Sequence, residues 1–250
     1  AAGAHKDPNM TAYIAVGVYH HFLITGEIGF LQWMWGCVRR AIDYVTGLQR
    51  PEGHIPWAQR ADGSISERTL LTGCASMYLS FGAALRIADL LGKKAPRWAA
   101  AQIRLGEAIR ARPHLFDPSK ARFSMDWYYP VLGGAVTGKD AENRIDRSWQ
   151  RFVVPGWGVR CVSDRAWATM AETAELSLAL SAMGRFSDAE QVLFWIADKK
   201  YTDGAFWTGV TFPEGGIYTT EKTAWTGAAV LLAADRLYGL TPACRLFSHE

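Results

Sequence analysis

Apolar positions recur every three to four residues over long stretches of the chain, the signature of helices with a buried face. The first stretch covers residues 10–24. After only Thr25, Gly26 and Glu27, a second runs through Trp33, Val38, Ile42 and Val45 to Gln49. Two helices joined by so short a turn form an antiparallel hairpin. The rhythm continues with 69–91 and 96–112, where Gly92 suits the end of one helix and Pro96 the first turn of the next. It goes on with 128–136 and 140–152, joined by Thr137, Gly138 and Lys139, and with 166–183 and 187–199, joined at Gly184. A last helix over 221–238 ends at Gly239, before a short segment led by Pro242. Helix, short turn, helix and long link recur roughly every 50 residues. The pattern predicts an all-α chain of about five helical hairpins.

The links alternate in chemistry as well as length. The short turns (TGE, LGKK, TGK, MGRFS) are ordinary, whereas the long links (QRPEGHIPWAQRADGSISER, RPHLFDPSKARFSMDW, VPGWGVRCVSDR, KKYTDGAFWTGVTFPEGGIYTTE) carry aromatic rings and acids. Links of that length usually have a function. The first helix of each pair is the more apolar and richer in small residues, and the second carries more charge, as in IRLGEAIRAR and DAENRIDRSWQR. First helices inside and second helices outside make an α/α toroid, with the long links gathered at one end of the ring. The expected domain is a single toroid over 1–250, an incomplete or open (α/α)6 barrel: either one hairpin lies upstream of it, or the ring is open. The opening AAGAHKDPN has neither an initiator Met nor a signal-peptide pattern and reads as a processed, tagged or truncated start.

Composition narrows the function. With 49% hydrophobic and 20% charged residues the chain can bury a large core. No apolar run reaches the roughly 18 to 20 residues of a membrane span. A formal net charge of +3, with no long basic run, gives no footprint for nucleic acid. Cys37, Cys74, Cys161 and Cys244 are scattered without metal-ligand spacing, so no metal or other cofactor is expected, and reduced thiols point to the cytoplasm. The aromatic content stands out, with 11 Trp, 9 Tyr and 11 Phe.

The stretch YHHFLITGEIGFLQWMWGCVRRAIDYVTGLQRPEGHIPW resembles the recurring hairpin of the six-hairpin glycosidases, which include glucoamylase-like enzymes. In that family a Thr-Gly-Asp/Glu turn is followed by a Phe-Leu pair, and a Gln precedes a Gly-containing loop. The matching residues are Thr25, Gly26, Glu27, Phe30, Leu31, Ala41, Gln49 and Gly53. The resemblance implies a carbohydrate site at the long-link end and inversion of configuration. LQRPEGHIPW and KKYTDGAFW also look like degenerate Gln/Trp repeats of squalene-cyclase and protein-prenyltransferase toroids, but that class's DxDD and DDxxD signatures are missing.

Glycoside hydrolysis needs a carboxylic acid and a carboxylate facing one bond. Asp126, in SMDWYYP at the mouth of a predicted inner helix, is the first candidate; helix capping is its bland alternative. Glu172 and Glu175 lie in an otherwise apolar inner helix, where a carboxylate must be paired or face a cavity. Glu172 is the second candidate, as the acid whose burial raises its pKa. A structural pair with an Arg is the competing reading. Glu67, Arg68, Asp164, Arg165 and Glu221 precede inner helices and are candidates to bind sugar hydroxyls, with Asp164 also a candidate N-cap. Trp57, Trp127, Tyr128, Trp167 and Trp207, in or just after the long links, could stack on sugar rings; Trp157 and Tyr218 share that position. Trp33, Trp35, Trp98, Trp149 and Trp195 fall on outer helices and read as packing or interface residues. His20 and His21 lie at the short-turn end, away from chemistry, and His54 is a lone loop histidine.

The leading expectation is a carbohydrate-active enzyme, a glycoside hydrolase with Asp126 and Glu172 as acid and base and an oligosaccharide or other small molecule as substrate. Two alternatives stay open: a terpene-cyclase or prenyltransferase-like toroid acting on an isoprenoid, and a non-catalytic sugar-binding toroid.

Overall fold

The structure, a computed structural model, describes residues 5–249; residues 1–4, the start of the AAGAHKDPN segment, and residue 250 lie outside it. The described residues fall into two compact units. One comprises the chain up to Pro118 with Gly133–Val136, the other Ser119–Leu132 with the chain from Thr137 onward.

In the first unit, α1 (Pro8–Thr25) and α2 (Ile28–Gly47) form one hairpin, and α3 (Leu71–Leu90) and α4 (Pro96–Ala111) the next. Helix α1 begins where Asp7 Oδ1 accepts the Met10 N–H at 3.1 Å. It ends at Gly26, whose φ of 69° lets its N–H reach the Phe22 carbonyl at 2.7 Å. Helix α2 buries Leu31, Val38, Ala41, Ile42 and Val45; Val38, Ile42 and Val45 are the positions read from the sequence, whereas Trp33, read with them, is exposed. Helix α1 packs against α3 as well as against its own partner α2, so the first helices of successive hairpins share one layer. Trp98 on α4 donates its indole N–H to Asp43 Oδ1 at 2.8 Å and lies against Trp35, which makes both outer-helix tryptophans packing residues.

The long link after α2 is held by the Gln-and-Gly signature. Gln49 Nε2 donates to the Gly53 carbonyl at 2.9 Å and to the Ala101 carbonyl at 2.8 Å, tying the exit of α2 to α4. Gly53 has φ +97°, and a Cβ there would lie 2.3 Å from the Arg104 carbonyl oxygen. Gly53→Ala is therefore expected to cost about 3 kcal/mol, read from urea unfolding; an unchanged midpoint would show that the clasp does not need close approach. Beyond it, the two-residue strands β1 (His5–Lys6) and β2 (Gln59–Arg60) pair antiparallel.

In the second unit, α5 (Ser124–Leu132) and α6 (Gly138–Phe152) form a hairpin, as do α7 (Met170–Ala182) and α8 (Phe186–Phe194), and α9 (Ala224–Tyr238) follows. Helix α7 packs on α5, α8 and α9. The links contain β3 (Val153–Val154), β4 (Gly158–Arg160), β5 (Trp167–Thr169) and β6 (Gly209–Thr211), which pair antiparallel in that order. Trp167 stands opposite Thr211, and Val159 opposite Thr169.

Three expected boundaries are corrected. The helix read as 166–183 starts at Met170, because Trp167–Thr169 pairs with β6 instead. The one read as 128–136 runs Ser124–Leu132 and stops before Gly133 and Gly134. The last helix starts at Ala224 rather than at 221. Among the described residues no helix is long and apolar enough to cross a membrane.

Candidate active site

The first turns of α7 carry Glu172 and Glu175, three residues apart and so on one helix face. Thr173, between them, fixes the register of this turn. Its hydroxyl donates to the Thr169 carbonyl at 2.5 Å and accepts the Val159 N–H at 2.8 Å. That approach requires Gly158, where a Cβ would lie 2.4 Å from the Thr173 hydroxyl. The sheet thereby anchors the start of α7.

Helix α5 supplies the partners of Glu175. The Tyr128 hydroxyl donates a short hydrogen bond to Oε2, and the Tyr129 hydroxyl donates to Oε1 at 3.2 Å. Tyr128 is fully buried and Glu175 half-buried. Burial lifts Glu175 from an ordinary 4.5 to about 7; the Tyr128 and Tyr129 hydrogen bonds favour its ionised form and pull the other way, and the charge of Glu172 adds to the rise. The Tyr128 phenol is pushed far above its ordinary value by burial and by the two glutamates, so it stays a donor. Cys161, just beyond β4, hydrogen-bonds Glu172; burial foremost, then that carboxylate, push its thiol up to about 12, which keeps it neutral.

Asp126, in the first turn of α5, is only 8% exposed and lies close to the charge of Arg144 on α6. The Arg144 guanidinium also donates to two main-chain carbonyls, from Nη2 to Asp126 and from Nε to Trp127, each at 2.7 Å. The sequence explains why the first is needed. Pro130 lies inside α5 and has no N–H for the Asp126 carbonyl four residues back. Trp127 returns the contact through its indole N–H to the Arg144 carbonyl at 2.9 Å. Burial pulls the Arg144 pKa down, although the neighbouring Asp126 charge opposes this.

The aromatic candidates separate. Trp127 is 5% exposed, with Phe152 stacked on it at 5.2 Å, and Tyr128 is fully buried, so neither offers a ring face to a sugar; this corrects their reading as stacking platforms. Trp167 is half-buried and meets the exposed Tyr218 edge to face. Trp207 is half-buried, and its buried indole N–H has no protein acceptor among the described residues. In the other unit, Trp57 is half-buried against His5.

The charged candidates are mostly exposed and several have partners. Arg68 reaches Asp117 Oδ2 from Nε at 3.0 Å, and neighbouring Glu67 is exposed. Asp164 pairs with Arg122 at 2.6 Å and lies well before α7, whose N-cap position is held by Thr169 and not by Asp164. Arg165 is exposed, and its carbonyl accepts from Arg160 Nη1 at 3.1 Å. Glu221 is exposed and accepts from the Thr219 hydroxyl at 3.2 Å. The structure thus brings Glu172 together with Glu175, Tyr128 and Cys161, while Glu67, Arg68 and Trp57 belong to the other unit. The tyrosine pair on Glu175 was not foreseen. Its only signal in the sequence is an acid in an apolar helix and a Tyr-Tyr dipeptide on another.

Hairpins whose first helices pack on one another, with two half-buried carboxylates at the start of one of those helices, fit the α/α-toroid carbohydrate-active enzymes to which the following likenesses point. The fold matches the structure of cellobiose 2-epimerase from Bacillus thermoamylovorans B4167, with a TM-score of 0.73 and 12% identity over 98% of this chain and 75% of that one. It also matches the structure of a glycosidase, with a TM-score of 0.51 and 16% identity over 94% and 88% of the two chains. No protein-family model matches the chain. Over 244 residues the chain is 48% identical to the MMP endo-(1,4)-3-O-methyl-alpha-D-mannosidase of Mycolicibacterium hassiacum, covering 98% of this chain and 67% of that protein, and it belongs to that enzyme's family. This kinship favours the carbohydrate reading over the isoprenoid and non-catalytic ones.

Proposed function

We propose that the chain is an endo-acting glycoside hydrolase that cleaves (1,4) bonds between 3-O-methyl-α-D-mannose units. The observation that carries the reading is Glu175. Half-buried between the Tyr128 and Tyr129 hydroxyls, its carboxyl is lifted by burial to about 7, which favours the protonated form a general acid needs. In the proposed reaction Glu175 gives its proton to the glycosidic oxygen as the C1–O bond breaks. Water attacks C1 and loses its proton to the Glu172 carboxylate, so one bond is hydrolysed and the two glutamates exchange one proton through solvent afterwards. Asp126, first paired with Glu172 on the sequence alone, is reassigned to holding α5 together with Arg144, because it is buried beside that guanidinium. The 48% identity to an endo-mannosidase supports the substrate class.

The test is incubation with (1,4)-linked 3-O-methyl-α-D-mannose oligosaccharides followed by mass spectrometry. Internal cleavage gives a ladder of shorter oligomers from the outset. Release of single sugars alone would rule out the endo assignment, and intact substrate would rule out the hydrolase. Tyr128→Phe removes a hydrogen bond that favours ionised Glu175, so the Glu175 pKa rises. An acid must be protonated to act, so the alkaline limb of the pH–rate profile is expected to move to higher pH. A limb that stays in place or moves down would uncouple Tyr128 from the acid.

A further inference from the structure

Trp167 and Tyr218 form a ring pair that the hydrolytic step does not use. Their centroids are 4.7 Å apart and their planes cross at 63°, so the edge of one ring meets the face of the other and the two planes form a corner. Tyr218 is 47% exposed and Trp167 half-buried, so the pair lies at the surface. The sheet builds it. Trp167 sits in β5 opposite Thr211 of β6, and the Tyr218 N–H donates to the Gly209 carbonyl at 2.9 Å. Gly209 lies beneath both: a Cβ there would come 2.6 Å from the Tyr218 carbonyl oxygen and 3.0 Å from Trp167 Cε3. A glycine is therefore required for the rings to sit as they do. Trp167 also lies in the strand that runs directly into α7, five residues before Glu172.

We propose that this corner is the specificity site for the 3-O-methyl group, a role that rests on the hydrolase reading for its substrate class. A methyl ether set into the angle between the two rings removes apolar surface from water and needs no hydrogen-bond partner. A free 3-hydroxyl in the same place loses its water and gains no acceptor from either ring face, so the unmethylated sugar is penalised. One methyl group in an apolar site discriminates by about tenfold or more.

Titration calorimetry of the chain with two (1,4)-linked α-mannose oligosaccharides of equal length, one 3-O-methylated and one not, tests this. Wild type is expected to bind the methylated chain about tenfold more tightly. Tyr218→Ala and Trp167→Ala should bring the ratio towards one, and Trp167→Phe should keep most of it. Absence of a preference in wild type, or a preference that survives in Tyr218→Ala, overturns the proposal. Tyr218 is the deciding position, because its exposed side chain can be removed even if Trp167→Ala fails to fold. Hydrolysis of the same pair, followed in parallel, reports on the hydrolase reading separately. A binding preference without cleavage sinks that reading and sustains the methyl site; cleavage without preference does the reverse.

Discussion

Glu175→Gln is expected to lower hydrolysis about a thousandfold and yet make the protein more stable above neutral pH. Both effects have one cause. Burial lifts the Glu175 carboxyl from 4.5 to about 7, so between those values the native state binds a proton that the unfolded chain has released. Stability therefore falls as pH rises through that window. Below it the carboxyl is protonated in both states and costs nothing extra. Above it the native protein holds an ionised carboxylate in a place that disfavours it, at a cost of up to about 3 kcal/mol. Gln is never ionised and still offers a carbonyl oxygen to Tyr128. Urea unfolding at pH 5 and pH 8 should show wild type and variant close together at the lower pH and the variant ahead at the higher. If the variant is weaker by the same amount at both, Glu175 titrates as an ordinary surface acid and the proposed proton donor is lost with it. Active sites commonly give up stability in this way for function.

What could be read in advance depended on how local each cause was. The turn at Gly26 and the Gln49–Gly53 clasp are formed by neighbours in the chain, so the residues themselves announce them. The buried stripe of α2 follows from periodicity. By contrast, AWATMAETAEL continues a helical pattern, and what makes Trp167–Thr169 a strand is β6, some 40 residues later. Glu172 and Glu175 share one helix face, and which of them is covered depends on Tyr128 and Tyr129 from another helix. By position in the sequence Trp127 is as available as Trp167, but Phe152 stacks on it from another helix. Ring counts and helix faces identify candidates; only cross-element packing sorts them.

Arg144→Ala is expected to cost about 3 to 4 kcal/mol. The guanidinium supplies two hydrogen bonds of 2.7 Å to the carbonyls of Asp126 and Trp127, and a positive charge near the buried Asp126. Lys is expected to recover less than half, because a single ammonium cannot repeat a planar fork across two carbonyls. The dependence on Pro130 can be tested directly. Pro130→Ala restores an N–H four residues after Asp126, so in the Arg144→Ala background it should return part of the loss by satisfying that carbonyl from within the helix. Strict additivity of the two substitutions in urea unfolding would show that Arg144 does not stand in for the missing donor. The effect should also reach the chemistry. Tyr128 and Tyr129 follow directly on Trp127, so loosening the first turn of α5 weakens both hydroxyl contacts to Glu175. In whatever fraction of Arg144→Ala stays folded, the alkaline limb of the pH–rate profile should therefore move to higher pH, the same direction as in Tyr128→Phe. A limb that does not move would mean that α5 holds its tyrosines without the clasp.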